Sequence, residues 1–277
     1  MKLAVLGSGS RGNALVVASG GELLLIDAGF SCRRIEQSLQ GLGEDPEKLG
    51  GLLLTHEHSD HVRGTKRLVK RHELQTYATA GTFGALSLPR EAAPFLRTVR
   101  SGKPFTVCSG QFLVEAFRLP HDAREPVGFV VEDRSGCRVG VASDLGSRSR
   151  LAWGRLNDLD ALVIETNHDL QMLRDGPYPW HLKQRVASRH GHLSNNDAAL
   201  GVEELVSDRL RHVVCYHLSQ TNNDPALAAQ AVGEKLDRLR STAELTLTRQ
   251  DETTEWLEVR SPPPRAASGQ VQLTLAL

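Results

Sequence analysis

The sequence predicts an α+β fold, on three observations. Apolar runs of strand length recur along the chain, the first of them lie close enough together to pair as hairpins, and amphipathic helical segments alternate with the later runs in two successive halves. With 277 residues and a hydrophobic fraction of 40%, the chain can bury a sizeable core as one large domain or two small ones.

Residues 2–6, 14–18 and 22–27 are the opening strands, the first two joined by Gly7-Ser8-Gly9-Ser10-Arg11-Gly12-Asn13. That glycine loop lacks the Gly-Lys-Ser/Thr of a phosphate-cradling loop and opens no helix, so it predicts a strand connection. A helix is expected over 31–40, then a short buried-type strand at 51–54 that runs into Thr55-His56-Glu57-His58-Ser59-Asp60-His61 and a basic amphipathic helix over 63–71. Residues 74–78 predict a strand, 80–86 a small helix, and 97–100, 104–107 and 111–118 further strands, the last ending close to His121. The runs 127–132 and 138–142 turn through Asp133-Arg134-Ser135-Gly136 as a hairpin that delivers Ser143-Asp144. A buried-type strand at 160–165 precedes helical segments over 170–207, broken at Gly176-Pro177 and at Gly191, with Ser194 and Asp197 forming a capping-box-like start. The run 211–216 ends in His217, a long helix over 224–240 begins with Asp224-Pro225, and strands near 244–248 and 255–259 close a domain of residues 1–260. The proline-rich stretch from 261 predicts a flexible tail to 277, whose last residues, 271–277, alternate as an edge strand would.

Composition excludes several classes. No apolar window approaches the roughly 18 residues of a membrane span, and the opening run is too short for a signal peptide, so a cytoplasmic protein with no membrane partner is expected. The 4 cysteines are scattered without a CxxC pair, which argues against a disulfide framework and a structural zinc clip. The formal net charge is zero, yet Arg63, Lys66, Arg67, Lys70 and Arg71 cluster after the histidine motif, and Arg174, Lys183, Arg185 and Arg189 cluster later.

The histidine-rich stretch stands where a strand ends and a helix begins, the edge at which α/β proteins usually bind ligands. In an extended segment alternate side chains share a side, so His56 and His58 can face one metal, while Asp60 and His61, past the bend, can turn to a second. Imidazole nitrogen with carboxylate oxygen suits Zn²⁺, Mn²⁺ or Fe²⁺. Asp27, at another strand end, can accept a hydrogen bond from a metal-bound imidazole. His121, Asp144 and His217 close three more strands, so several successive elements end in a residue of this kind.

An Asp after an early strand, His-x-His-x-Asp-His, a later His, an Asp and a final His resemble, in order, the metallo-β-lactamase superfamily. The resemblance implies a four-layered αββα sandwich with a dinuclear metal site at the sheet edge. His56, His58 and His121 would form one site, and Asp60, His61 and His217 the other, with Asp144 bridging them. Two divalent ions, Zn or Mn, about 3.5–4 Å apart would lower the pKa of a bridging water and give hydroxide at neutral pH, with Asp60 orienting it. True β-lactamases commonly carry Cys where Asp144 stands, and a β-CASP nuclease inserts a large domain before the last His; here 217 − 144 leaves 73 positions.

Gly7-Ser8-Gly9-Ser10 with Gly12-Asn13, Glu165-Thr166-Asn167-His168-Asp169, Gly176-Pro177-Tyr178-Pro179 with Leu182-Lys183, Gly191-His192-Leu193-Ser194-Asn195 and His217-Leu218-Ser219 resemble the YycJ/WalJ branch of that superfamily, with Thr166 in place of an expected Ser. This implies a metal-dependent phosphodiesterase on nucleic acid, specifically a 5′-to-3′ DNA exonuclease, with RNA an open alternative and a homodimer compatible. A glyoxalase II-like thioester or lactone hydrolase is the competing reading. His192, in a glycine turn at a helix start, is the expected proton donor beside Asp60; His168 either contacts substrate or holds a loop, and Lys66, Arg67 and Lys70 are further candidate substrate contacts.

Overall fold

The computed structural model describes residues 1–260, and the expected flexible tail over 261–277, with its edge strand, lies outside the described residues. The first half supplies β1 (Lys2–Gly7), β2 (Ala14–Ser19), β3 (Glu22–Ile26), β4 (Leu49–Leu53), β5 (Thr76–Ala78) and β6 (Leu96–Thr98). The second supplies β7 (Phe105–Val107), β8 (Phe112–Arg118), β9 (Val127–Asp133), β10 (Arg138–Ala142), β11 (Ala161–Glu165), β12 (His212–Tyr216) and β13 (Glu244–Leu247), and β14 (Leu257–Glu258) follows. Each half begins as an antiparallel meander and ends as parallel strands. The result is two seven-stranded sheets, and β14 returns to the first of them, antiparallel to β1.

Alternation along β1 shows how the layers stack. Leu3 and Val5 enter a core shared with Phe112, Phe129, Val141 and Val163 of the second sheet, whereas Ala4 and Leu6 enter a core with Ile35, Leu39 and Leu68 on helices. Leu162 and Val213, on the outer face of the second sheet, pack with Ala198, Val202, Val232 and Leu236. Both faces of both sheets are therefore buried, and the order of layers is αββα, as the resemblance implies.

The helices are α1 (Cys32–Gly41), α2 (Ser59–Val62), α3 (Thr65–His72), α4 (Ala80–Ala85), α5 (Arg150–Trp153), α6 (Leu170–Asp175), α7 (Trp180–Val186), α8 (Asn195–Leu205) and α9 (Pro225–Arg238). Ser31 caps α1 and Ser194 caps α8, each accepting a backbone hydrogen bond in the first turn. The basic helix expected over 63–71 is displaced: α2 is a single turn and α3 starts after Gly64, where an added Cβ would lie 2.2 Å from the Phe30 carbonyl oxygen. Helix α5 has no sequence-level signal, because only Ala152 and Trp153 of its four residues are buried.

Candidate metal centre

Strand ends build the site. Asp27 follows β3, Asp144 follows β10 and His217 follows β12, and all three have left-handed backbone, with φ of 59°, 58° and 58°. A non-glycine residue holds that conformation at a cost of about 1–2 kcal/mol, and it takes the side chain out of the two-faced alternation of its strand. The motif after β4 does the rest: His58 is extended and caps α2, whose first turn carries Asp60 and His61. Gly29 allows the Gly7–Asn13 loop and α2 to meet, since a Cβ there would lie 1.8 Å from the Asp60 carbonyl oxygen. Asn13 and Asp60 are then joined by a backbone hydrogen bond of 2.8 Å.

Two triads result. The ligand atoms of His56, His58 and His121 lie within 4.8 Å of one another, and so do those of Asp60, His61 and His217. Asp144 faces both, with Oδ2 at 3.1 Å from His61 Nε2 and Oδ1 at 3.5 Å from His217 Nδ1 and 3.9 Å from His121 Nε2.

The imidazoles are held from behind. His61 Nδ1 meets Asp27 Oδ2 at 2.7 Å, His121 Nδ1 meets the Gly191 carbonyl at 3.0 Å, His56 Nδ1 meets Thr55 Oγ1 at 3.0 Å, and His217 Nδ1 meets Glu165 Oε1 at 2.9 Å. In each case Nε2 is left for the centre, which is how a metal-binding imidazole is usually oriented. Thr55 also donates its hydroxyl to Asp27, and Asn13 Nδ2 lies 3.3 Å from Asp60 Oδ2.

Charge is unbalanced here. Burial works against ionisation of Asp144, yet His217 and His61 hold its pKa well below the usual carboxylate range, and Asp60 is likewise held far down by His61 and His217 despite burial. Glu165 is lowered to about 2, the cost of burial being outweighed by His192 and His217. Among the described residues, no lysine or arginine forms an ion pair with Asp27, Asp60, Asp144 or Glu165. Burial pushes His56 well below its ordinary value, so it is neutral, and its buried Nε2 has no hydrogen-bond partner. A neutral buried imidazole nitrogen without a partner, beside carboxylates whose charge is met only by neighbouring imidazoles and by no lysine or arginine, is what two divalent ions would complete, so the residues fit them.

His192, expected to project from a fixed turn, does so: its backbone N–H donates to the Val186 carbonyl, and its Nδ1 sits 2.7 Å from Glu165 Oε1. With His58, Asp60, Asp144, His217 and Tyr178 it lines a pocket of about 330 Å³. Of the two roles open to His168, contacting substrate and holding a loop, its placement favours the second. It is 1% exposed and lies outside the pocket lining, and its carbonyl holds the start of α8 by accepting from Asn195 N–H at 2.8 Å. Arg67 and Lys70 line a cleft of their own with Cys32, Arg33 and Glu36, and Lys66 is exposed on the same helix.

Glu165 is the principal residue that the sequence did not single out. Its Oε2 accepts from Leu145 and Leu193 N–H while Oε1 serves His192 and His217, so one carboxylate fixes two imidazoles and two loops. Its position at the end of β11, matching the other strand-end ligands, is the signal that could have found it.

The profile of the beta-lactamase superfamily domain matches residues 23–217. The chain is 35% identical over 242 residues to exodeoxyribonuclease YycJ of Bacillus anthracis, covering 86% of this chain and 89% of the relative. It is 34% identical over 243 residues to exodeoxyribonuclease WalJ of Streptococcus pneumoniae, covering 85% and 88%. In fold it is similar to Zn²⁺-bound PqqB from Methylobacterium extorquens, with a TM-score of 0.66 at 20% identity over 92% of this chain and 100% of the other. Human tRNase Z, short form, gives a TM-score of 0.62 at 19% identity over 94% and 100%. With a matching domain profile and relatives above 30% identity along most of its length, the chain belongs to the beta-lactamase superfamily and is a metallohydrolase of its YycJ/WalJ branch.

Proposed function

We propose that this chain is a metal-dependent phosphodiesterase that degrades DNA from an end, 5′-to-3′. The observation that carries the reading is the convergence of two ligand triads on Asp144 in a chain 35% identical, over 86% of its length, to an exodeoxyribonuclease. When bound, two divalent cations supply positive charge for a phosphate and lower the pKa of water at the site.

The chain's own residues would do the rest. Burial works against charge on His192, but Glu165 at 2.7 Å outweighs it and raises the imidazole's pKa above the ordinary histidine value. A proton held at His192 can pass to the departing oxygen, while the buttress on Nδ1 fixes the ring's direction. Asp60 stays ionised and can accept a hydrogen bond from the attacking water, its carboxylate steadied by Asn13. Arg185, on the pocket wall and paired with Asp122 at 2.6 Å, is placed to meet a phosphate oxygen. Cytoplasmic DNA is the substrate this reading favours over RNA.

Metal-loaded protein should release mononucleotides from end-labelled DNA in Mn²⁺ or Zn²⁺, with RNA and S-lactoylglutathione run beside it. Thioester turnover without any cleavage of nucleic acid would overturn the reading in favour of the glyoxalase II-like alternative.

A further inference from the structure

Helices α6 and α7 form a hairpin through Gly176–Pro179, and α7 presents different residues on two sides. Leu182, Arg185 and Val186 line the pocket over the metal centre. Trp180, Lys183 and Ala187 line a second groove of about 200 Å³, closed on its far side by Leu170, Leu173 and Arg174 of α6. Trp180 is 70% exposed and Leu170 50% exposed, so a large apolar surface is left in water beside Lys183 and Arg174, the latter in a solvent-exposed pair with Asp175 at 3.1 Å. Lys183 Nζ rests 2.6 Å from the Arg174 carbonyl, which keeps the ammonium at the groove's rim.

Resting on the nuclease reading above, we infer that this groove is a nucleobase-stacking site: an unpaired base of the strand being degraded lies on Trp180 while Arg174 and Lys183 attract the phosphates beside it. Three observations favour this occupant. An exposed indole flanked by cations matches the aromatic-plus-basic platform that single strands use, because every base has a π-face and every linkage a charge. The groove lies across a single helix from the candidate active site, since α7 forms a wall of each. The width of that helix, about 10 Å, corresponds to about three base steps at 3.4 Å, so a base on Trp180 would belong to the same strand as the phosphate at the metals. The site therefore selects ends that are single-stranded or frayed from a duplex.

The test is a cycle between protein and strand. Oligonucleotides carrying one abasic unit at successive positions from the cleaved end are compared on the parent protein, Trp180→Ala and Trp180→Phe. On the parent, an abasic unit about three nucleotides from the scissile linkage should raise KM by about 5- to 150-fold, the range for losing one stacked base. Trp180→Ala should show the same rise on the intact strand and no further rise on the abasic one, and Trp180→Phe should recover most of it. Equal abasic penalties in the parent and in Trp180→Ala would overturn the stacking site while leaving the nuclease reading in place. Absence of any cleavage by the parent would overturn both. A shift from dimer to monomer in Trp180→Ala by light scattering, with KM unchanged, would assign the groove to a second copy of the chain instead.

Discussion

Two clusters in this molecule contain the residue types that hold metals. At the sheet edge, His56, His58 and His121 bring their ligand atoms within 4.8 Å of one another, and on the outside of the fold Cys32, Glu36 and His72 do the same. Their surroundings differ. Glu36 Oε1 lies 3.3 Å from Cys32 Sγ, 2.9 Å from His72 Nε2 and 2.9 Å from Arg71 Nε, so its charge is already matched. Burial and Glu36 push the Cys32 thiol up to about 11, which leaves it protonated and a poor ligand. His56 instead offers a neutral nitrogen without a partner, next to Asp144, which faces both triads. His72 Nδ1 also lacks a hydrogen bond, with Glu47 Oε1 at 3.3 Å, so what distinguishes the metal centre is that Arg71 meets the one carboxylate of the outer cluster while no lysine or arginine meets Asp60 or Asp144.

The largest test of that distinction is Asp144→Asn, which removes the carboxylate facing both triads. Metal should be lost from both sites and nuclease activity should fall to background, read by elemental analysis and turnover. Retention of two metals would mean that Asp144 bridges nothing. His192→Ala should cut turnover by about 10²–10⁴-fold with metal content and melting temperature close to the parent's, because its imidazole leans on Glu165 and lies outside both proposed triads. Loss of a metal with it would move His192 into the ligand set. Asp27→Asn should weaken metal affinity by about 10–100-fold, the usual effect of removing a carboxylate behind a metal-binding imidazole.

On the second cluster the effects should be smaller. Changing Lys66, Arg67 and Lys70 together to Ala should lower the slope of log DNA affinity against log salt by about 0.9 for each phosphate that is no longer neutralised. An unchanged slope would leave their cleft without a role in DNA binding. Glu36→Gln should leave the metal content of the parent. Burial opposes ionisation of Glu36, but hydrogen bonds from His72 and Cys32 and the charge of Arg71 hold its pKa below the ordinary glutamate value. Its stabilising contribution is thus full above the unfolded value of about 4.3 and lost as pH falls through the folded one, so the variant should flatten the acid limb of melting temperature against pH. A fall in metal content in Glu36→Gln would erase the distinction between the clusters.

The sequence displays the candidate ligands and the Asp27 buttress because each interrupts or ends an apolar run, and a polar residue at a strand end is visible without knowing its partner. Asp27, Asp144 and His217 are of this kind. Glu165 ends β11 in the same way, but its role depends on His192 and His217, 27 and 52 positions away, and that pairing no local pattern supplies. His168 looks polar and available, and only tertiary packing buries it. The alternation of strands conveys that there are two halves; the return of β14 to pair with β1, Lys2 against Glu258, joins the two ends of the described chain in a way that no local pattern encodes.

Left-handed backbone at Asp27, Asp144 and His217 narrows the alphabet available there beyond what chemistry asks. A substitute must place a ligand or buttress atom and also accept φ near +58°, which Asn, Asp and Gly tolerate and β-branched residues do not. Neutral drift at these positions is restricted twice, once by the metal and once by the main chain. For anyone building an inactive trap of this enzyme, asparagine separates lost coordination from altered backbone in a way that alanine cannot. Grafting the centre onto another scaffold would likewise begin by finding three strands that end in this turn, before any ligand is chosen.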